Sequence, residues 1–376
     1  MNRKFFYAAA VLVGSMVGVG VFGLPYTFAR TGFWVGFSVL IIVMVTTLLT
    51  DLMYGEVSLR TGEKHQLLGY SRIYLDQIFQ KLIFFSSVLM GYVAILAYII
   101  ISGSFLNTLL SGFFYVPVAA YGIFFALILS LVVLKGVRTV SHVELFFCGL
   151  FLAIVVLMGL AGLPHIQPEN FSGFNGANPL LSYGILLFAF GGLIGVPIQR
   201  QILAGNERKL KKAIIAAVLF VGLLYSAFTA IVVGISGSST SQDAVSGLYQ
   251  FLGSKITILA AFFGIFAVTT SFLMHAAALV NTFHFDFKIR RFNAWVLAVL
   301  PPVLLFWGGI RSFIGIIGLA GGVALALEQI MIILMYAKAK TKGDRVPEYS
   351  LNIPAWLLYV IIALLSIGII YFLFIQ

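Results

Sequence analysis

The sequence predicts an all-α polytopic membrane protein of eleven spans, the first ten forming two five-helix blocks of opposite orientation and the eleventh added to them. Three observations predict it. Of 376 residues, 61% are hydrophobic and 9% charged, against roughly 25% charge in a soluble domain, and the mean hydropathy is +1.09. The basic residues collect in alternate connections between apolar runs. Two of those runs, five spans apart, carry similar glycine-rich interruptions.

The apolar runs cover 5–29, 32–54, 82–110, 116–134, 139–163, 179–199, 213–236, 254–282, 293–309, 312–336 and 354–375, lengths suited to a hydrocarbon core of ~30 Å at ~1.5 Å per helical residue. With the N-terminus in the cytoplasm, the inside connections hold Arg3 and Lys4; Arg60, Lys64, Arg72 and Lys81; Lys135 and Arg138; Arg200, Arg208, Lys209, Lys211 and Lys212; Lys288, Arg290 and Arg291; and Lys338, Lys340, Lys342 and Arg345. These are 20 of the 23 basic residues; Arg30, Lys255 and Arg311 fall outside. Cationic excess in cytoplasmic loops sets orientation, so the chain is expected in the cell membrane with its N-terminus inside and its C-terminus outside. The first run continues to Ala29 and ten more follow, which makes it an uncleaved span rather than a signal peptide. Trp34, Trp295, Trp307 and Trp356 lie near span ends, as interfacial anchors. The net charge of +11 is then an insertion signal facing anionic lipid, not a nucleic-acid footprint. Residues 1–376 form one transmembrane domain: 5–163 the first block, 179–336 the second and 354–375 the added span.

Span 1 contains "GSMVGVGVFGLP", Gly14 to Pro25. Its Gly18-Val19-Gly20-Val21-Phe22-Gly23 spells G-x-G-x-x-G, but a dinucleotide loop joins a strand to a soluble helix, and here the stretch lies inside an apolar run. Span 6 contains "FAFGGLIGVP", Phe188 to Pro197. Both stretches close on Gly-aliphatic-Pro and open successive blocks of five spans; an odd block places its second copy upside down, which predicts an inverted repeat. One such stretch alone reads as a close-packing face, Gly14 and Gly18, with a kink at Pro25. Two at the repeat period point to paired broken helices. A membrane helix that unwinds frees backbone groups costing several kcal/mol each in hydrocarbon, so such breaks belong where a ligand or neighbour satisfies them. Half-helix N-termini suit a carboxylate and freed carbonyls suit an ammonium or cation, a combination that fits a zwitterionic amino acid.

Most acids lie in loops or at span ends, including Glu56, Asp76, Asp243 and Asp286; Asp51, Glu144 and Glu328 fall within apolar runs. Asp51 and Glu144, about a turn from the inner boundary, read as solvated or snorkelling beside Lys or Arg. Glu328 lies some ~24 Å down a ~30 Å core, with no basic residue within two turns. It is a proton-coupling carboxyl, a neutral one bonded to another span, or one close enough to the inner interface to be wet. His275, a turn beyond Ser271, is a relay candidate or a packed helix histidine. The sequence has no H-E-x-x-H, P-loop or G-x-S-x-G, its five histidines are scattered, and its one cysteine, Cys148, sits in an apolar run. Enzymatic, metal-dependent and cofactor-dependent functions are not expected.

Five stretches, "GSMVGVGVFGLPY", "YGEVSLRTG" with "LLGYSRIYL", "AYIIISG", "LLFAFGGLIGVP" and "TTSFLMHAAAL", together resemble the amino acid–polyamine–organocation superfamily, in its hydroxy and aromatic amino acid permease branch. The resemblance implies a leucine-transporter-type 5+5 inverted repeat with helices 1 and 6 broken, and secondary active transport of amino acids by alternating access. Carried across by position, N–H groups of Gly18, Val19 and Gly20 would meet the substrate carboxylate. Carbonyls near Ser15 and Met16 and those of Phe188, Ala189 and Gly191 would meet the ammonium, with Tyr98 and Phe190 as walls or gates, or as ordinary packing. In sodium-coupled relatives the ion position would correspond to carbonyls near Gly14 and Val17 with hydroxyls of Thr270 and Ser271, which also serve as local helix acceptor partners. Loops 164–178 and 237–253 would cover an outer vestibule, the second holding a lid helix; segment 55–81 reads as an amphipathic interfacial piece. The expected function is proton-coupled symport of a small or aromatic neutral amino acid by a monomer in contact with lipid. Sodium coupling, or a transporter-like sensor or channel without coupled flux, are the alternatives.

Overall fold

In hydrocarbon every backbone N–H and C=O must be bonded within the chain, and apolar runs of this length satisfy them as helices. The computed structural model describes residues 3–135, 141–172 and 180–375, with 141–148 and 285–286 as backbone alone, and among them every regular element is helical. Arg138, residues 139–140, 173–178 and 179, and the side chains of His142, Glu144, Cys148 and Asp286 lie outside the described residues.

Span 1 is two helices, α1 (Arg3–Met16) and α2 (Gly20–Thr31), bent 57° at the break. There follow α3 (Phe33–Arg60), α4 (Leu67–Tyr74), α5 (Gln77–Leu110), α6 (Val118–Lys135) and α7 (Ser141–Gly162). Span 6 is likewise two short helices, α8 (Leu180–Ala189) and α9 (Gly195–Ile202). The rest comprises α10 (Leu210–Ser236), α11 (Tyr249–Asn281), α12 (Arg291–Trp307), α13 (Phe313–Leu319), a π-helical turn (Ala320–Leu325), α14 (Ala326–Lys342) and α15 (Ala355–Phe374). Among the described residues seven segments are long and apolar enough to cross a membrane, and the bent α1–α2 pair makes an eighth. The expected runs 139–163, 179–199 and 293–309 fall on shorter apolar helices.

The two breaks pack against each other, and this contact sets the chain's centre. A Cβ on Gly20 would stand 2.7 Å from Ala189 Cα, so only glycine lets the start of α2 touch the end of α8. Gly23 faces Ile317 and Ile185, where a Cβ would come within 2.8 and 3.3 Å. Behind the contact lies α10, whose fully buried Tyr225 hydroxyl is 2.8 Å from the carbonyl of Met16 and 2.8 Å from that of Ala189. Those are the last residues of α1 and α8, whose carbonyls have no acceptor role left in their own helices. One side chain thus ties both helix ends.

Three expectations change. α3 runs past the expected end at 54 to Arg60 because its terminal charges are used inside the protein. Arg60 Nε donates to Glu56 at 2.8 Å, and buried Glu56 also accepts from Ser350 Oγ at 3.1 Å and the Leu351 N–H at 2.6 Å. Asp51 is therefore not a solvated or snorkelling residue: it is 0% exposed and neither carboxylate oxygen has a partner. Arg200, placed by sequence in an inside loop, is buried on α9, where Nη2 donates to the Thr61 carbonyl at 2.8 Å and Nη1 to Glu63 O and Tyr70 Oη, both at 3.3 Å. A cation at the C-terminus of α3 also complements its dipole. The 237–253 loop does hold a short helical piece: after a 3-10 turn at Gly237–Ser239, residues 246–252 form one that Gly253, at φ 72° and ψ 178°, sets off from the rest of α11. Asp243 closes it by accepting from Ser241 Oγ and Ser246 Oγ, both at 2.7 Å.

Two substitutions test the centre. Tyr225→Phe removes the donor and should lower stability by about 1–3 kcal/mol, the cost of losing a bond to a buried acceptor; an unchanged melting temperature in detergent would contradict the tie. Gly20→Ala should cost as much or more by overpacking, about 1–3 kcal/mol, whereas a variant that melts like the parent would mean the breaks do not touch.

Candidate functional site

The break in span 1 leaves two kinds of backbone group. Val17 N–H still bonds Val13 O at 2.8 Å, but Gly18 N–H folds back onto Met16 O at 2.8 Å, which ends α1. The Gly14 and Ser15 carbonyls belong to the last turn of α1 and the N–H groups of Val19 and Gly20 to the start of α2, positions without an intrahelical partner. In span 6, Gly191 N–H bonds Phe188 O at 3.1 Å and Gly192 N–H bonds Phe190 O at 2.8 Å, so the chain turns tightly before α9. Ser15 Oγ spans the two segments, donating to Leu12 O at 2.8 Å and approaching Gly192 O at 3.3 Å.

A cavity of about 70 Å³ lies at this junction, lined by Gly14, Ser15, Met16, Gly18, Val19, Gly20, Tyr98, Phe188, Gly191 and Ser271 among others. These are ten of the fifteen residues singled out in the sequence, gathered from α1, α2, α5, α8 and α11. The other five sit elsewhere. Phe190 is fully buried with its ring 5.2 Å from that of Tyr225, and Ala189 lies under Gly20, so both support the wall from behind. Val17 and Thr270 do not line the cavity; the Thr270 hydroxyl donates to Ala267 O at 3.0 Å in its own helix. Glu328 lines a second cavity.

That second cavity, about 640 Å³, runs from Lys64, His65 and Arg72 to Glu328, and shares Met90, Gly191, Ile194, His275 and Ala278 with the first. Glu328 is buried, with Oε1 accepting from Ser87 Oγ at 2.7 Å and approached by Ser86 Oγ at 3.5 Å on α5. His275 stands where the cavities meet. Its Nδ1 is 3.0 Å from Ser271 O and 3.2 Å from Tyr98 Oη. A carbonyl only accepts, so in the neutral ring Nδ1 carries the proton and Nε2 is left as an acceptor.

Sequence reasoning found the backbone of the site and missed much of its side-chain wall. Met90, Ile194, Met274 and Ala278 are ordinary apolar residues with no spacing signal, and Tyr225 is one of 16 tyrosines. Nothing local marks it as the residue behind both breaks.

The sequence profile of the tryptophan/tyrosine permease family matches residues 1–373. The chain is 26% identical over 369 residues to the tryptophan-specific transport protein of Shigella flexneri, covering 90% of this chain and 87% of that protein. It is 24% identical over 370 residues to the tyrosine permease of Enterobacter agglomerans, covering 90% and 88%. The crystal structure of MhsT in complex with L-phenylalanine matches with a TM-score of 0.68 at 15% identity, over 99% of this chain and 97% of that one, a likeness of fold. With the profile spanning almost the whole sequence, the chain belongs to the tryptophan/tyrosine permease family, within the superfamily its motifs resemble, and is a multi-pass membrane permease rather than an enzyme.

Proposed function

We propose that the protein is a secondary active transporter that moves an aromatic amino acid together with protons, by alternating access around the junction of the two breaks. The observation that carries this reading is the convergence of both breaks on one cavity. There α2 offers N–H groups and a positive dipole end to a carboxylate, while α1 offers carbonyls to an ammonium. The Met16, Ala189 and Phe188 carbonyls already have partners, so the ammonium falls to Gly14 and Ser15. Gly191 borders the site without a committed role. In this reading the chain makes eleven spans, five and five inverted plus one, with its N-terminus in the cytoplasm, and a single chain is the transport unit because it supplies both breaks.

Two features support an aromatic substrate with a hydrogen-bond donor. The relatives above are named for tryptophan and tyrosine, and a neutral His275 leaves Nε2 as an acceptor beside the cavities, suited to an indole N–H or a phenol O–H. The ring would extend past His275 toward the larger cavity, between Met90 and Ile194. Proton rather than sodium coupling is supported by Glu328, a buried carboxyl on that cavity.

Uptake of labelled tryptophan into proteoliposomes tests the reading. An inward proton gradient should drive accumulation and a sodium gradient should not; binding retained with accumulation under neither gradient would identify a sensor instead. Glu328→Gln should reduce proton-driven accumulation by about tenfold or more while leaving binding intact, as expected for loss of an intramembrane proton site; undiminished uptake removes Glu328 from the mechanism. Gly18→Ala has room, its Cβ 3.5 Å from Ser271 Oγ and 3.9 Å from Tyr98 Oη. It should leave the melting temperature unchanged yet weaken substrate binding by about tenfold, 1.4 kcal/mol. Parental affinity would place the ligand elsewhere.

A further inference from the structure

Asp51 is unlike every other acid described. It is 0% exposed, both carboxylate oxygens lack a hydrogen-bond partner, and it enters none of the ion pairs among the described residues. Thr47, Asp51 and Tyr54 follow at i, i+4 and i+7, one stripe of α3, and α3 packs along α14. From α14, Gln329 brings its Nε2 to 3.5 Å from Thr47 Oγ1. The Gln329 Oε1 and the Tyr54 hydroxyl are buried without a partner as well. The seam between the two helices thus leaves a carboxyl, an amide oxygen and a phenol hydroxyl without a bonding partner.

A carboxylate taken out of water with no cation and no donor costs several kcal/mol even after relaxation, and such a group holds a proton instead. The charged and titratable groups around Asp51 do not alter this. Tyr54 on its own helix and Tyr349 from the segment after α14 lie within its electrostatic reach; Glu328 and Tyr70 in turn face Tyr54, and Glu56 and Tyr336 face Tyr349. Three cations of that face are engaged otherwise, Arg60 with Glu56, Arg200 with carbonyls of 61–63 and Lys340 with Leu351 O, while Lys64 and Arg72 line the larger cavity. No charged side chain of α2, α8, α9 or α10 pairs with it.

The nearest described approach to a cavity is at Tyr54. Tyr54 lines the 640 Å³ cavity together with Glu328 and lies within electrostatic reach of both acids. We propose that Asp51 is a second proton-carrying carboxyl of the transport cycle, exchanging with the larger cavity past Tyr54, so that Asp51 and Glu328 each carry one proton per substrate. In release, the Asp51 O–H bond breaks toward a water entering from the cavity; the water leaves as hydronium and the carboxylate stays behind with one negative charge. Reprotonation in the other half of the cycle reverses the step. The inference rests on the proton-coupled reading above, and adds a site on α3 that the breaks do not touch.

Two measurements decide it. In infrared spectra of the purified protein at neutral pH, the carbonyl band of protonated carboxylic acids should lose one component in Asp51→Asn and a different one in Glu328→Gln. An unchanged band in Asp51→Asn means Asp51 is ionised and overturns the proposal, whatever the protein transports. In proteoliposomes, opposed gradients of pH and tryptophan should balance at two protons per substrate for the parent and one for Asp51→Asn. The same stoichiometry in both, or a new sodium dependence in the variant, also overturns it. A parent that shows no proton-driven uptake but keeps the infrared difference sinks the transport reading and, with it, the role of Asp51 in a cycle, while leaving its proton in place. Asp51→Asn is isosteric with the neutral acid and should melt within a few degrees of the parent. If it fails to fold, Asp51→Glu, retaining the carboxyl, should keep two protons per substrate, and one proton would overturn the proposal.

Discussion

The structure depends on one constraint: a helix interrupted in hydrocarbon exposes backbone groups that nothing but the protein or its ligand can satisfy. Two interruptions double the demand, and the chain answers by bringing them together. Gly20 against Ala189 closes the gap between them. The Tyr225 hydroxyl meets the carbonyl ends of α1 and α8 from behind, and Ser15 reaches across to Gly192 on the other side. The remaining unsatisfied groups, the first N–H groups of α2 and the last carbonyls of α1, face the cavity. The same geometry that stabilises the breaks selects which of their polar groups remain for a ligand.

The polar groups toward the face bearing Lys64 and Arg72 follow a related rule. Buried Glu56 is bonded by Arg60, Ser350 and Leu351, Arg345 pairs with Glu348 and donates to Leu59 O, and Arg200 caps the end of α3. Tyr349, in the segment linking α14 to α15, donates to Leu52 O at 2.7 Å, and burial, with Glu56 and Asp51 nearby, holds its phenol well above the ordinary range. This latch fastens the end of α3 to the segment after α14. The Asp51 seam reaches the larger cavity at Tyr54, one turn further along α3.

The glycines of span 1 show how far a motif can be read. Gly18, Gly20 and Gly23 look equivalent in sequence, yet Gly18 borders the cavity, Gly20 meets a neighbouring backbone and Gly23 meets isoleucine side chains. The break itself was legible because glycine and proline punctuate an apolar run in a way that two matching spans repeat. The partner of each glycine was not, because contacts across 170 residues leave no local trace. Asp51 is the converse case. Its neighbours in sequence suggest a wet boundary, and only the packing of α14 and the segment 343–354 against α3 makes it dry.

By itself the sequence determined the membrane class, the helical segments, the two interruptions and the backbone of the candidate site, because hydropathy, the distribution of basic residues and glycine-proline punctuation act along the chain. Tertiary structure alone decided that Tyr225 ties both breaks, that Phe190 and Ala189 stand behind the wall, that His275 joins the two cavities and that Asp51 is sealed from water. Each of these depends on which helix lies against which. In so apolar a chain that choice is made by shape, small residues and a few buried polar bonds, none of which has a period the sequence can display.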